Sequence, residues 1–159
     1  MTRASERDRP DVVEARLKWR TNTSSLDSEQ LVFLDETGVN TKMARLYARS
    51  IGGTRAVDSI PHGHWHTTTF VAGLTYQSLI APAVLDGPMD GESFLAYTEQ
   101  ILSPALQEGN IVIMDNLACH KVSGVKQAIE RAGAELLYLP PYSPDLNPIE
   151  GLWKWMREE

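Results

Sequence analysis

Four prolines within nine residues place the tightest constraint on this chain. The segment LPPYSPDLNPIEGLW, residues 139–153, carries Pro140, Pro141, Pro144 and Pro148. Each ring fixes φ and removes a backbone donor, so the segment leads into its successor with little conformational freedom. Asn147 is suited to cap a helix whose first residue is Pro148 and whose third is Glu150. The frame therefore delivers one carboxylate, Glu150, to a fixed place. Two further acids, Asp35 and Asp115, each end a short apolar run, LVFLD and IVIMD. Three acids on separate, rigidly held elements are what a divalent-metal phosphoryl-transfer site requires.

A chain of 159 residues suits one domain with a sizeable core, and 42% apolar residues are too many for a disordered one. No apolar run approaches a membrane span, and the polar N-terminus lacks a signal-peptide core, so no membrane partner is expected. A single cysteine, Cys119, cannot form an internal disulfide, which points to a reducing, cytoplasmic setting. The net charge of −6 counts against a nucleic-acid partner, but its distribution does not. Residues 1–20 hold six bases against four acids, and Lys42, Arg45, Arg49 and Arg55 follow Glu36 with no acid among them before Asp58. Such a stretch can track a phosphate backbone or protect a solvated edge strand, and charge alone weights the two equally. A metal site is itself acidic until filled, so a negative total does not exclude DNA.

Residues 1–30 read as an attachment, with a short helix over DVVEARLKW and a polar linker, TNTSSLDSEQ. LVFLDETGV has the content of a buried strand, with Gly38 offering a turn, and ARLYARS alternates as a second strand ending at Gly52-Gly53. TTTFVAGLTY and SLIAPAVL are further strands joined near Gln77. Over residues 90–106 the period becomes helical, with Phe94, Tyr97, Ile101 and Leu102 on one face, Asp90 as cap and Pro104 as a bend or stop. NIVIMD is a strand covered on both faces. Lys121–Ala132 is a helix with Val122, Val125, Ile129 and Ala132 inward and Gly133 as its stop, and AELLYLP is another buried strand before the last helix. Antiparallel strands followed by alternating β and α units imply a mixed α/β sheet with helices on its faces.

Each acid also has an ordinary reading. Asp35 suits a strand-end turn, with Glu36 the exposed member of the pair. Asp115 with Asn116 suits the start of a turn, and Glu150 a capping box with Asn147. Singly, each ordinary reading is the stronger; together, two matching strand-Asp contexts and the proline frame favour a metal triad. His62, His64 and His66 share one face if extended, but a transition-metal site there is less favoured than a phosphate-contacting or solvent-facing edge. Trp65, Trp153 and Trp155 read as packing residues, and Cys119 as a small packing residue rather than a nucleophile.

LDETG, VIMDNLACH and LPPYSPDLNPIE, in this order, resemble the three signature blocks of bacterial insertion-sequence transposases of the six-thirty family, relatives of the mariner-type elements. Thirty-four residues lie between Asp115 and Glu150, the spacing that superfamily uses, and the likeness covers about residues 30–157. The resemblance implies a ribonuclease-H-like catalytic domain over residues 31–159 with Asp35, Asp115 and Glu150 as catalytic metal ligands. It implies two Mg²⁺ or Mn²⁺ ions, hydrolysis of DNA at element ends, and attack of the freed 3′-hydroxyl on target DNA at a TA step. No covalent protein–DNA intermediate is implied. Asn116 and His120 match the second block as groups that orient ligands or face DNA.

The pattern departs from the family at both ends. The helix-turn-helix region that recognises element ends is missing from residues 1–30, and the last helix stops soon after Glu150. A separately encoded DNA-binding half, supplied by frameshifting, or a truncated remnant would each explain this. Two functions follow: a competent cleavage and strand-transfer domain assembling on DNA as a dimer, or an inactive fragment that associates with intact transposase.

Overall fold

LVFLDETGVN forms β1 (Leu31–Asn40), the central strand of a five-stranded sheet. Its Val, Phe and Leu content suits a strand buried on both faces. The structure is a computed structural model and describes residues 5–40 and 66–158. The remaining strands are β2 (Thr67–Leu74), β3 (Leu79–Asp86), β4 (Ile111–Met114) and β5 (Glu135–Tyr138), in the order β3-β2-β1-β4-β5. β1, β2 and β3 pair antiparallel, whereas β4 and β5 join parallel to β1. The sheet is therefore mixed, as the run of strands followed by alternating helices and strands requires. The expected second strand, ARLYARS, and its Gly52-Gly53 turn lie outside the described residues.

Gly38 does not turn the chain. It sits inside β1 opposite Thr69, because pairing with β2 continues as far as Asn40 and Thr67. Asp35 is consequently a mid-strand residue and not a strand-end one. The β2–β3 hairpin closes near Gln77 as expected, through Thr75 and Ser78. Pro82 falls in β3, an edge strand, where its missing donor is tolerated.

Alternation along the strands separates two cores. On one face Val32, Leu34, Val71, Val112 and Met114 pack with Phe94, Tyr97, Leu102, Val125 and Ile129. These come from α2 (Gly91–Tyr97) and its continuation, and from α4 (Val125–Arg131). On the other face Ala72 meets Ile149 and Trp153 of α5 (Pro148–Glu158), with the Trp153 ring edge-on to Phe70 at 5.3 Å. Beside it Ile111, Ile113 and Leu139 are covered by Trp19 of α1 (Pro10–Thr23) and by Leu26. Helices thus cover both faces. Among the described residues no helix is long and apolar enough to cross a membrane.

Several expectations need correction. Asp90 caps α2 by accepting from the Ser93 amide, as expected. A π turn over Thr98–Leu102 then shifts the helical phase before the short α3 (Ser103–Ala105). The wider turn buries Thr98 and Leu102 and leaves Ile101 39% exposed, so Ile101 is not on the inner face. The Lys121–Ala132 helix begins only at Val125, because Gly124 precedes it at φ +103°, outside helical space. Ala132 is only half-buried. β5 lies at a sheet edge, so Leu136, Leu137 and Tyr138 are half-buried, not fully so. Trp153 is a core residue, but Trp155 is 61% exposed and packs nothing away; Trp65 lies outside the described residues. The first helix runs beyond DVVEARLKW to Thr23, buries Val12 and Arg16, and packs its Trp19 on the sheet.

Gly133 stops α4 at φ +80°, and a Cβ there would lie 3.3 Å from the Glu108 Cα. The left-handed backbone alone costs an L-residue about 1–2 kcal/mol. Gly133→Ala is therefore expected to lower stability by at least about that amount, read as a lower urea midpoint with unchanged slope.

Candidate active site

The parallel register of β1 and β4 sets two of the three acids side by side. Leu31 pairs with Ile111 and Phe33 with Ile113, so Asp35 and Asp115 stand at equivalent positions further along neighbouring strands. Both follow the alternation onto the α5 side of the sheet. α5 begins there, and Glu150 lies in its first turn. Asp35, Asp115 and Glu150 line one cleft of about 420 Å³, walled by Leu139 to Pro144 and by Asn116 and Asn147. The three predicted acids are thereby brought together, although they are distributed over residues 35–150.

Asp35 is only 8% exposed. Burial, then the negative charges of Glu150, Glu36 and Asp115, push its pKa up to about 8. Among the described residues lining the cleft none is Lys, Arg or His. A buried carboxyl crowded by like charges, in a cleft of hard oxygen donors, is chemically suited to a divalent cation of the Mg²⁺ type. The α5 N-terminus adds a positive dipole end near Glu150.

Asn147 does not cap α5 through its side chain. Its Nδ2 donates to the Leu34 carbonyl at 3.4 Å, tying the helix start to β1, and its buried Oδ1 has no hydrogen-bond partner. Instead the Asn147 backbone carbonyl accepts the first helical bond, donated by the Glu150 amide at 3.2 Å.

Asn116 is exposed at the cleft, where a substrate can reach it. His120 is fully buried and so does not face DNA. Its Nδ1 lies 2.7 Å from Asp115 Oδ1 and its Nε2 2.8 Å from Glu36 Oε1, with the ring 4.4 Å from that of Phe94. Burial opposes charge on the imidazole, but the hydrogen bonds to Asp115 and Glu36 outweigh it and raise its pKa to about 10. His120 is therefore a cation bridging two carboxylates at neutral pH. The Asp115 Oδ1 also accepts from the Leu117 amide at 3.1 Å, so this carboxylate is held from two sides.

Glu36 is the neighbour of the cleft that sequence reasoning misplaced. Its side chain is 11% exposed, and it lies on the opposite sheet face from Asp35. The signal was present: Val32, Leu34 and Glu36 alternate onto the core face. Cys119 is a half-buried free thiol whose sulfur lies within 4.8 Å of the Glu36 and His120 ligand atoms. Both ring nitrogens of His120 are already taken by carboxylates. Of the remaining candidates, Lys42, Arg45, Arg49, Arg55, His62 and His64 lie outside the described residues, and His66 is exposed.

The sheet is the ribonuclease-H-like fold found in the catalytic domain of Mos1 mariner transposase. The chain is similar to the crystal structure of a pre-cleavage Mos1 transpososome, with TM-score 0.77 and 18% identity over 99% of this chain and 50% of that one. It is also similar to the Mos1 mariner paired end complex with Mn, with TM-score 0.77 and 19% identity, again over 99% and 50% of the two chains. The separate catalytic domain of Mos1 mariner transposase superposes at TM-score 0.62 with 17% identity, covering 99% of this chain and 73% of that one. The chain spans about half the length of the first two of these. No curated protein sequence matches it. The family model for DDE superfamily endonucleases matches residues 30–159, and the chain belongs to that family.

Proposed function

We propose that this chain is the catalytic domain of a transposase of the insertion-sequence six-thirty group, cleaving DNA at element ends and transferring the strand to a target. The observation that carries this reading is the convergence of Asp35, Asp115 and Glu150 on one cleft from β1, the end of β4 and the start of α5. Related folds have been captured as a paired-end complex with Mn and as a strand transfer complex. Asp35, Asp115 and Glu150 are the residues that would hold two Mg²⁺ or Mn²⁺ ions. When bound, such ions activate an attacking hydroxyl and neutralise charge on the phosphate.

The chain's own residues prepare that site. Asp35, central and buried, carries a proton in the metal-free protein below about pH 8 and releases it when a cation takes the proton's place. His120, fixed by Glu36, orients the Asp115 carboxylate and spares it the freedom to rotate. Asn116 faces the substrate. Hydrolysis frees a 3′-hydroxyl, and attack of that hydroxyl on a target phosphodiester exchanges one ester bond for another. The TA target step, assembly as a dimer on DNA, a separately encoded helix-turn-helix half and phosphate contacts by Lys42, Arg45, Arg49 and Arg55 belong to the same proposal.

Incubation with supercoiled plasmid and Mn²⁺ or Mg²⁺ tests it. The wild-type chain is expected to nick the plasmid only with the metal present. Asp115→Asn is expected to slow nicking by about 10³-fold, the scale set by losing one transition-state charge stabiliser. Absence of wild-type nicking, or equal nicking by the variant, overturns the proposal.

A further inference from the structure

Two arginines of the N-terminal segment converge on a single carboxylate in the proline-rich loop. Arg16 on α1, 8% exposed, grips Asp145 with both terminal nitrogens, Nη1–Oδ1 3.0 Å and Nη2–Oδ2 2.8 Å. The same Nη1 donates to Ser143 Oγ at 2.7 Å, and that hydroxyl donates to the Pro141 carbonyl at 2.9 Å. Arg7 adds a bond from Nη2 to Asp145 Oδ2 at 2.7 Å. A bidentate, nearly buried guanidinium is the geometry in which an ion pair is strong and directional. The Arg16 hydrogen bond is the largest of the influences holding the Asp145 carboxyl below its ordinary range.

The loop needs holding. Tyr142 has φ +54°, a left-handed backbone that a bulky residue adopts only when its surroundings enforce it. Ser143, the next residue, is 4% exposed and lines the cleft together with Tyr142, Pro144 and Asn147. Beyond it a 3₁₀ turn, Pro144–Leu146, passes directly into Asn147 and α5. Whatever fixes Ser143 and Asp145 therefore fixes the first turn of α5, which carries Glu150. Arg7 and Arg16 are spent on this contact and are not available to neutralise a phosphate.

We propose that Arg16, seconded by Arg7, is a positioning residue for the cleft. It locks the strained Tyr142–Asn147 turn and so sets where Glu150 stands relative to Asp35 and Asp115. The proposal rests on the reading of those three acids as metal ligands. The N-terminal helix is then part of the active-site scaffold: the cleft is assembled when α1 is docked and loosened when it is not.

Hydrogen exchange and metal binding, measured on the whole chain, test this. The amides of Leu146, Asn147 and Glu150 bond to Ser143, Pro144 and Asn147 carbonyls. In metal-free Arg16→Gln and Asp145→Asn they are expected to exchange at least about tenfold faster, with the β4 amides unchanged. Mn²⁺ affinity is expected to fall about tenfold, with the nicking rate recovered at saturating Mn²⁺. The double variant is expected to be no worse than the worse single one, as for a shared contact. Unchanged exchange at the three amides, or acceleration spread equally over β4, overturns the proposal, as does unaltered Mn²⁺ affinity in a folded variant. Asp145→Asn, at the exposed end of the pair, keeps the test usable if Arg16→Gln does not fold. If the wild-type chain binds no Mn²⁺, the metal reading fails separately, and the exchange measurement alone decides for or against the clamp.

Discussion

Replacing Asp35 by asparagine is expected to stabilise the metal-free protein above about pH 8 while reducing strand cleavage by about 10³-fold or more. In the fold the Asp35 carboxyl titrates near 8 in place of its ordinary 3.8, because it is buried beside Glu150, Glu36 and Asp115. The folded state therefore holds a proton that the unfolded state has lost across that window. The stability linked to that proton is fully present below pH 3.8 and is lost as pH rises through about 8. The full loss is on the order of 6 kcal/mol, and asparagine, which never ionises, escapes it. Melting curves of wild type and Asp35→Asn across this range should converge at acid pH and separate at alkaline pH, with the variant higher. Saturating Mg²⁺ should reverse the order, since only the wild type gains from binding. A variant less stable than wild type at every pH would mean that Asp35 serves the fold and not a cation.

Removing His120 is expected to damage both stability and activity. His120→Ala leaves Glu36 without the bond at 2.8 Å and Asp115 without the one at 2.7 Å, and opens space against Phe94. Stripping one partner from a buried charged network typically costs about 3–5 kcal/mol. The Asp115 carboxylate, freed on one side, should lose about 10–100-fold in metal affinity. Denaturant melts and Mn²⁺ titration of His120→Ala and of Glu36→Gln check this together. Glu36→Gln should keep the fold better, because glutamine can still accept from the ring, and should therefore separate the two losses. Normal Mn²⁺ affinity in a folded Glu36→Gln would reduce the network to packing.

The acids were legible in the amino-acid sequence for different reasons. Asp115 follows an unbroken apolar run, and β4 is indeed buried throughout its four residues. Glu150 follows prolines that leave the backbone few options. Asp35 was found, but its place within the strand was not, because the end of an apolar run was taken for the end of a strand. Pairing with β2 is a long-range fact, and it carries β1 through Glu36 and Gly38. His120 was tied to Asp115 by family pattern alone; its burial depends on Phe94, which lies in another element. The π turn that exposes Ile101 and the tie from Asn147 to Leu34 have no periodic signature, since each depends on what packs against the helix. The basic N-terminal residues were counted as surface charge, whereas Arg16 is directed inward by an acid 129 positions away.

β1 carries Asp35 on one side of the sheet and Glu36 on the other, so a single peptide link joins the cleft to the His120 network. An inserted residue between Leu31 and Leu34 would turn every later side chain through the sheet. Leucine would then enter the cleft, and the aspartate would meet the imidazole. Lineages carrying this domain should accordingly accept length changes in connecting loops, while this strand changes by substitution.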